Sequence, residues 1–463
     1  MNQIAPLPLS VQIRNLSRSM GLKLLVVSFL ALLMMIPALF VSGIVDERTS
    51  RARDVVQEIS SRAGGQQIFL GPVLSIPYTI PPRYKGAATA TGAYVVFPRD
   101  GNASLKVRTE ERHRSLFKVP VFQADVNFDA DFDLTDVPAA APTDAVLDWS
   151  RAEIVVGVSN ARGALDDGTL TLNGKTNSFV PTNSIADINS QQRLPLSYFG
   201  ARASDVAKPN AAFRTSAALR FSGGQRLAVL AYGKTSHVTV EGDWPNPGFD
   251  GNFPPVKRSV SPRGFSGEWL VPFIARGVRA EGTNVAVGNL DGATMGVSFI
   301  ELADPYQSVE RSVKYSLLFI GLVFLSYFVF EVTARKRVHP AQYILVGVAQ
   351  MIFYLLLLSL AERIGFDWAF LAAGAGTVLL LSANANWIFR SRVQGLRALA
   401  VFSLLYLFIY LLLRLEDNAL LVGAVASFLA VAAVMYFTRN IDWYSAIASS
   451  SEQPLAATER NPL

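Results

Sequence analysis

Residues 22–45 read LKLLVVSFLALLMMIPALFVSGIV, with no charged residue after Lys23. A helix that crosses a bilayer needs about 20 mostly apolar residues, and this run supplies them. Basic residues precede it, but the run is longer than the core of a signal peptide, which has about 7–15 residues, and no A-x-A cleavage site follows. The sequence therefore predicts an uncleaved membrane anchor, kinked at Pro37.

Five further apolar stretches lie in the C-terminal third of the chain. Of the 463 residues, 51% are hydrophobic and 17% are charged, whereas a soluble domain has about 25% charged residues. These values exclude a disordered chain and predict a multi-pass α-helical membrane protein with six spans. The five later spans are predicted over residues 313–332, 341–361, 366–389, 398–415 and 418–438.

The excess of basic residues is confined to the predicted membrane part. The formal net charge is +6, but residues 46–310 contain 27 basic and 28 acidic residues, and the remainder contains 15 basic and 8 acidic residues. A nucleic-acid-binding protein would carry its basic excess as a patch on a folded domain. The distribution therefore excludes nucleic acid and predicts the lipid bilayer as the partner of this chain.

The charges that flank the spans predict their orientation, because Lys and Arg are enriched on the cytoplasmic side. The short loops that alternate with the basic ones carry Glu362 and Asp367 in one case, and Glu416 and Asp417 in the other. Both termini are thus expected in the cytoplasm, with residues 46–310 on the opposite side. The basic flanks are Arg14, Arg18, Lys23, Arg335, Lys336, Arg337, Arg390, Arg392 and Arg397.

The segment between the first two spans is predicted to be a β domain. Residues 47–62 have helical spacing and should extend the first helix until Gly64 and Gly65 end it. Strand patterns with Gly, Pro, Asn and Ser between them then follow, which indicates a large, mostly antiparallel β domain of sandwich type. A weak break near residues 180–210 leaves two lobes as an option. Strands are predicted at 67–78, 125–134, 153–158, 169–172, 226–232 and 237–241.

These features give the domain organisation that we expect for the chain. A cytoplasmic arm is followed by the first span, the external β domain, a five-helix bundle and a cytoplasmic tail. Their predicted bounds are 1–21, 22–45, 46–310, 311–438 and 439–463.

The residues that usually carry catalysis or bind metals are scarce. The chain has no cysteine and three histidines, namely His113, His237 and His339, so disulfides, thiolate metal sites and iron–sulfur clusters are excluded. The sequence predicts no catalytic residue, no cofactor and no metal centre. Two Gly-Lys-Thr strings, at 174–176 and 233–235, lack the earlier glycine of a phosphate-binding loop and are predicted to be hairpin turns.

Alternate residues between 125 and 133 form a polar row on one predicted strand. The row lacks the glycine and glutamate that an EF-hand loop requires, since Leu134 and Ala140 occupy those positions. We expect a solvated strand face, with a weak cation site as the alternative. The row consists of Asp125, Asn127, Asp129, Asp131 and Asp133.

A segment rich in Trp, Pro, Gly and Phe is the candidate recognition surface. Loops of this composition can be rigid, because proline lowers the entropic cost of ordering and aromatic rings supply contact area. The alternative is that the aromatic residues cover the β core. The candidate residues are Trp244, Pro245, Pro247, Phe249 and Trp269.

Several longer stretches resemble a known family. Residues 43–78 begin GIVDERTSRARDVVQEISSRAGG, residues 232–255 read YGKTSHVTVEGDWPNPGFDGNFPP, and residues 264–277 read GFSGEWLVPFIARG. Together with PYQSVERSVKYSLLF from residue 305, LRLEDNALL from 413 and MYFTRNIDWY from 435, these stretches resemble the CreD family. The resemblance extends from about residue 20 to 444. Ala63 and Asn418 depart from the aromatic residues that are usual in the family at these positions.

The resemblance implies an inner-membrane protein of Gram-negative bacteria that is linked to cell-envelope integrity and envelope stress. The external domain would then be periplasmic, and its partners would be envelope components. No enzymatic activity, cofactor or catalytic residue comes with the resemblance. We therefore expect a non-enzymatic protein, and the alternative is a transporter or permease component for an envelope precursor or lipid.

Overall fold

The chain divides into two compact units. One comprises Met1–Arg51 with Ala303–Leu463, and the other comprises Ala52–Leu302. The predicted N-terminal arm up to residue 19, most of the tail, and the loop acids Glu416 and Asp417 lie outside the described residues. The computed structural model describes residues 20–82, 84, 88–114, 117–141, 143–185, 195–283, 287, 289–299, 305–334, 336, 338–414 and 419–439.

The first unit is helical. Among the described residues, five helices are long and apolar enough to cross a membrane, the first of them over Gly21–Arg62. An amphipathic helix, which the sequence analysis did not predict, precedes the second of the five. The helices of both units are α1 (Met20–Leu33), α2 (Met35–Arg62), α3 (Val137–Ala140), α4 (Phe273–Arg276), α5 (Pro305–Lys314), α6 (Ser316–Ala334), α7 (Pro340–Ile364), α8 (Phe366–Phe389), α9 (Arg392–Arg414) and α10 (Ala419–Thr438).

The first helix is interrupted at Met34, between α1 and α2. Pro37 has no N–H to donate to the carbonyl of Leu33, and its ring crowds that carbonyl, so the interruption lies where the sequence predicts the kink. Met34 is 5% exposed. It packs on Gly347 of α7, where a Cβ atom would lie 2.5 Å from the Met34 sulfur. The absence of a side chain at Gly347 therefore lets the two helices approach at the break.

The end of α2 agrees with the sequence-based expectation. Gly64 and Gly65 have φ angles of 108° and 69°, which residues with a side chain rarely adopt. The N–H of Gly65 donates to the carbonyl of Ser60 at 2.6 Å, as in a glycine-terminated helix. A Cβ at Gly64 would also lie 2.5 Å from the Ser222 carbonyl oxygen. Gly64 is therefore required both by its backbone conformation and by close packing.

The second unit is built from two β-sheets with mainly antiparallel pairing, and only the β1–β12 and β3–β13 pairs are parallel among those described. The strands are β1 (Gln67–Ile80), β2 (Ala90–Val96), β3 (Asp100–Arg114), β4 (Phe117–Asp133), β5 (Val146–Leu147), β6 (Glu153–Val158), β7 (Thr169–Leu172), β8 (Lys175–Ser178), β9 (Val180–Pro181), β10 (Ser197–Arg202), β11 (Ala212–Gly224), β12 (Arg226–Leu230), β13 (Thr235–Gly242), β14 (Pro247–Gly251), β15 (Lys257–Ser261), β16 (Gly264–Val271), β17 (Glu281–Thr283) and β18 (Thr294–Phe299).

The two sheets differ in burial. Sheet A has the order β14-β18-β12-β1-β6-β10-β9, with β2, β5 and β17 attached, and sheet B has the order β15-β16-β13-β3-β4-β11-β7-β8. Strands β1, β6, β12 and β18 are buried along most of their length. Strands β3, β4 and β11 alternate between buried and exposed residues. One face of sheet B is therefore in the core and the other is in water.

Aromatic pairs join the inner faces of the two sheets. Phe69 of sheet A lies 5.4 Å from Phe221 of sheet B, measured between ring centroids. Phe122 of sheet B likewise lies 5.0 Å from Phe299 of sheet A. Pairs with this spacing add about 0.5–1.5 kcal/mol beyond the area that they bury. These contacts make the β unit a sandwich, as the sequence predicts.

The core depends on one tyrosine placed between two glycines. Tyr232 is fully buried, and its hydroxyl donates to the carbonyl of Asp129 at 3.1 Å. A Cβ at Gly71 would lie 2.6 Å from the Tyr232 ring, and one at Gly101 would lie 2.7 Å from it. Burial raises the pKa of Tyr232 above its ordinary value. The ring is therefore a neutral core group that fills the space left by two absent side chains.

Two expectations from the sequence are wrong. The stretch around residues 180–210 is not a lobe boundary, because β9 and β10 on either side of its middle part pair with each other in sheet A. The second Gly-Lys-Thr string is not a hairpin turn, since it joins β12 of sheet A to β13 of sheet B. The first string does form a hairpin, between β7 and β8, with Asn173 and Gly174 at positive φ.

Tightening the space around Tyr232 should destabilise the β unit. We expect Gly101→Ala to lower the melting temperature of the purified protein, because overpacking a core costs about 1–3 kcal/mol. Tyr232→Phe should cost about 1 kcal/mol through the lost hydrogen bond. Gly292→Ala is the matched control, because a Cβ there meets nothing within 4 Å. Equal melting temperatures for Gly101→Ala and Gly292→Ala would contradict this account of the core.

Candidate functional site

The predicted recognition segment lies at the edges of both sheets. It leaves β13 of sheet B at Gly242 and enters β14, which is the end strand of sheet A. Strand β14 pairs only with β18 among the described strands, from Pro247↔Phe299 to Gly251↔Met295. The other side of β14 faces no strand among those described, so β14 is an edge at which another chain can pair.

The aromatic residues of the segment are not equally accessible. Trp244 is 8% exposed and Trp269 is 2% exposed, and both belong to the core. The indole N–H of Trp269 donates to the carbonyl of Phe253 at 3.0 Å. Phe249 is partly buried, with its ring centroid 6.0 Å from that of Trp269 and 6.1 Å from that of Phe265. Phe249 therefore packs on the core residues Trp269 and Phe265 from the outside.

Hydrogen bonds hold this segment in one conformation. Asp243 accepts from the N–H and the hydroxyl of Thr109, at 2.8 and 2.7 Å. Asp250 accepts from Arg226 at 2.9 Å, and the hydroxyl of Thr294 donates to Asn252 at 2.8 Å. Such a segment loses little conformational freedom when it binds a partner.

The structure thus separates the five candidate recognition residues into two groups. Trp244 and Trp269 support the core, whereas Pro245, Pro247 and Phe249 are partly exposed at the sheet edge. Recognition by this segment stays a prediction, and its accessible part is the proline and phenylalanine group. The alternation on β16, where Phe265, Gly267, Trp269 and Val271 face inward, is the signal that indicates burial of Trp269.

The polar row on β4 is bound by side chains of the neighbouring strands. Arg214 contacts Asp131 through two nitrogens, at 2.5 and 3.0 Å. This contact lowers the pKa of the Asp131 carboxyl. Arg108 and Arg220 both approach Asp125, at 3.2 and 3.3 Å. The row therefore lies on the solvated outer face of sheet B, where Asp125 and Asp131 have arginine partners and Asp129 and Asp133 accept from hydroxyl groups.

A buried arginine, Arg276, contacts three loops of the β unit. Arg276 is 4% exposed and donates to the carbonyls of Gly233 and Arg279, at 2.8 and 3.2 Å. Its guanidinium lies 4.0 Å from the centroid of the Phe97 ring. Burial lowers the pKa of Arg276 to about 10. The burial of Arg276 could not be predicted, because nothing in its local sequence pattern distinguishes it from a surface arginine.

The helical unit contains a buried carboxylate. Glu331 of α6 is 1% exposed and forms an ion pair with Lys23 of α1. It also accepts from the N–H of Val338 at 2.9 Å and from the hydroxyl of Tyr343 at 3.1 Å. Lys23 donates in addition to the Val338 carbonyl at 2.8 Å. We call Lys23, Glu331, Val338 and Tyr343 the ionic cluster; it joins α1, α6 and the start of α7.

Further polar groups lie inside the same unit. Gln350 of α7 is fully buried, and neither its amide oxygen nor its amide nitrogen has a hydrogen-bond partner within the described part of the chain. Tyr327 donates to the Leu381 carbonyl at 2.7 Å and accepts from Asn384 at 3.4 Å. A buried amide without a partner is uncommon and needs a functional or hydration-related explanation.

The burial of Glu331 and Gln350 in the helical unit was not predicted from the sequence. Glu331 stands at the end of an apolar run, where a charged side chain usually reaches the interface. Its partner Lys23 is 308 positions away. Gln350 is a single polar residue on an apolar helix. Which side of that helix is buried depends on the helices that pack against it, and these are distant in the sequence.

Comparisons with known proteins identify the family of this chain. The family model described as "Inner membrane protein CreD" matches residues 19–444. The inner membrane protein CreD of Escherichia coli (strain K12) is 32% identical over 433 residues, which cover 89% of this chain and 91% of that protein. This chain belongs to the CreD family. The resemblance seen in the sequence motifs is therefore confirmed over almost the same range.

Family membership, together with five apolar helices and a large β unit, makes this a membrane protein of the CreD type. The match extends through both units of the chain. The matched range includes the whole β unit as well as the helices from α1 to α10.

Removing one partner of the ionic cluster should destabilise the helical unit. Lys23→Met leaves a buried carboxylate without its cation, which costs about 3–5 kcal/mol, so we expect a lower melting temperature in detergent. Glu331→Gln in the same chain should restore most of the loss, because glutamine still accepts a hydrogen bond. Arg51→Met is the control, since the Arg51–Glu47 pair is exposed and worth little. Additive losses in the double variant would argue against the pair.

Proposed function

We propose that this protein is a non-enzymatic, six-span inner-membrane protein that supports cell-envelope integrity through a periplasmic β domain. The observation that carries the proposal is the family match over residues 19–444. The envelope role is what the resemblance to the CreD family implies for this chain. The β domain supplies the surface on which envelope components would be recognised.

The proposed orientation rests on charge. The predicted cytoplasmic flanks carry Lys and Arg, and the opposite loops carry acidic residues. Helix α10 provides the proposed sixth span, since its 20 residues include no charged side chain. An even number of spans returns the C-terminus to the side of the N-terminus. Residues 46–310 then lie in the periplasm.

The proposal that the protein is not an enzyme rests on the environment of its histidines. His113 and His237 lie on the exposed face of sheet B. His339 accepts from the N–H of Ala341 at 3.2 Å and so caps α7. These positions give structural or solvated roles to the residue type that most often moves protons in enzymes.

A second candidate function is transport of an envelope precursor or lipid. The observation that favours it is Gln350, whose buried amide has no partner within the described residues. Polar side chains inside a membrane bundle often mark the path of a solute. In this reading Gln350 would contact the solute, and Gln350→Leu would abolish function while raising stability. In the first reading Gln350→Leu would leave function unchanged.

The orientation is tested by reporter fusions. Fusions after residues 200 and 300 should report the periplasm, and fusions after residues 338, 394 and 450 should report the cytoplasm. The physical reason is the distribution of Lys and Arg around the spans. A cytoplasmic signal at residue 200 would overturn the proposed topology, and a periplasmic signal at 450 would remove the sixth span.

The recognition role is tested at Phe249. We expect Phe249→Ala to accumulate normally in the membrane fraction yet fail to complement a deletion strain under envelope stress, because its ring is partly exposed at the edge of the sheet. Trp269→Ala should instead lose abundance, since truncating a buried aromatic residue costs about 3–5 kcal/mol. Tyr84→Ala, which removes a ring that is 74% exposed elsewhere, should behave as wild type. Full complementation by Phe249→Ala would refute the role of this segment.

A further inference from the structure

A groove runs between α8 and α9 on the surface of the helical unit. Its volume is about 610 Å³. Gly374 packs against Tyr406 at the floor of the groove. The side chains of Ala375 and Ser403, which also line the groove, are small and leave its interior open. The residues that line it include Asp367, Trp368 and Leu379 on α8, and Leu399, Ser403 and Leu407 on α9.

The length of the groove corresponds to one leaflet of a membrane. Its lining on α8 runs from Asp367 to Leu379, a rise of about 18 Å at roughly 1.5 Å per residue. One leaflet contributes about half of the roughly 30 Å hydrocarbon core. A single acyl chain lying along the groove would thus extend from the interface to the middle of the bilayer.

The groove is apolar except at one end. Leu371, Leu379 and Leu407 form its rims and are 60%, 61% and 54% exposed. The polar end holds Asp367, which pairs with Arg414 and accepts from the hydroxyl of Tyr410 at 3.1 Å. Both charged side chains are about half exposed, at 50% for Asp367 and 56% for Arg414.

The charges at the polar end suit a headgroup that carries both signs. A half-exposed ion pair is worth about 0–1 kcal/mol, so each member can accept a second partner at little cost. Guanidinium groups bind phosphate oxygens with two donors. The carboxylate of Asp367 can accept from a primary ammonium group. Trp368, which is 68% exposed at the same end, is the kind of residue that lies at the level of headgroups.

We propose that this groove is a binding site for an aminophospholipid. One acyl chain lies on Gly374, Ala375 and Ser403, the phosphate contacts Arg414, and the ammonium group contacts Asp367. The inference goes beyond the proposed function, since it requires only that α8 and α9 cross a bilayer. It needs neither the orientation of the chain nor a role for the β unit.

The site is tested with the full chain in lipid nanodiscs. A phosphatidylethanolamine that carries a photoactivatable group on one acyl chain is added, and the labelled residues are mapped by mass spectrometry. Labels should concentrate on the groove-lining positions of α8 and α9. Ala375→Phe fills the groove and should lower this labelling about threefold or more. Ala372→Phe is the matched control, because Ala372 is exposed on the same helix and does not line the groove.

Selectivity for the headgroup distinguishes a specific binding site from general contact with lipid. The same probe is prepared with a glycerol headgroup, which lacks the ammonium group. Asp367→Asn should lower the ratio of ethanolamine to glycerol labelling about threefold, the scale of one exposed charge contact. An unchanged ratio would overturn the assignment of Asp367.

Two further results would overturn the proposal as a whole. Equal labelling of wild type and Ala375→Phe would show that the groove holds no lipid, and Ser403→Leu repeats this test with a change on the other helix. Loss of a dimer in Ala375→Phe, measured by native mass spectrometry, would identify a second copy of the chain as the occupant instead.

Discussion

A charged group buried inside a protein has no water around it, and the helical unit meets this constraint at Glu331, which is 1% exposed. Three donors reach its carboxylate, from the first helix, from the backbone before α7 and from α7 itself. Buried ion pairs of this kind are often no more stabilising than apolar residues of equal volume. The cluster connects the first helix, α6 and the start of α7, so an arrangement that separated them would leave a buried charge without its partners.

The β unit uses the same principle with polar and aromatic groups. Tyr232 fits between Gly71 and Gly101, and Arg276 binds the carbonyl of the next residue, Gly233. This point is where the chain passes from sheet A to sheet B. A crossing between two sheets leaves backbone groups without ladder partners, and the arginine supplies the missing donors. The second Gly-Lys-Thr string, at 233–235, is therefore a connection between the two sheets.

Much of the architecture follows from periodicity. Apolar runs predicted the helices, and strand-forming runs bounded by Gly, Pro, Asn and Ser predicted β6 and β7 with their observed bounds. Helix α5 was missed because ten amphipathic residues resemble a surface loop when they stand beside a much stronger apolar run. Glu331, Gln350 and Arg276 were missed because their burial depends on residues far away in the sequence. Composition marked the Trp244 segment, and the inward alternation of β16 indicates burial of Trp269, but no local pattern indicates burial of Trp244.

The position of β1 in sheet A has a consequence for how the chain folds during synthesis. This apolar strand is the first of the sheet to be made, yet it lies in the interior of the strand order. It pairs in parallel with β12, from Gln67↔Leu227 onward. Most of the β unit is therefore synthesised between these two strands. Contacts over such distances close late and slow the folding of a domain. Until β12 has been synthesised, β1 of the nascent chain thus exposes an apolar edge without its parallel partner. A chain in this state is prone to aggregation.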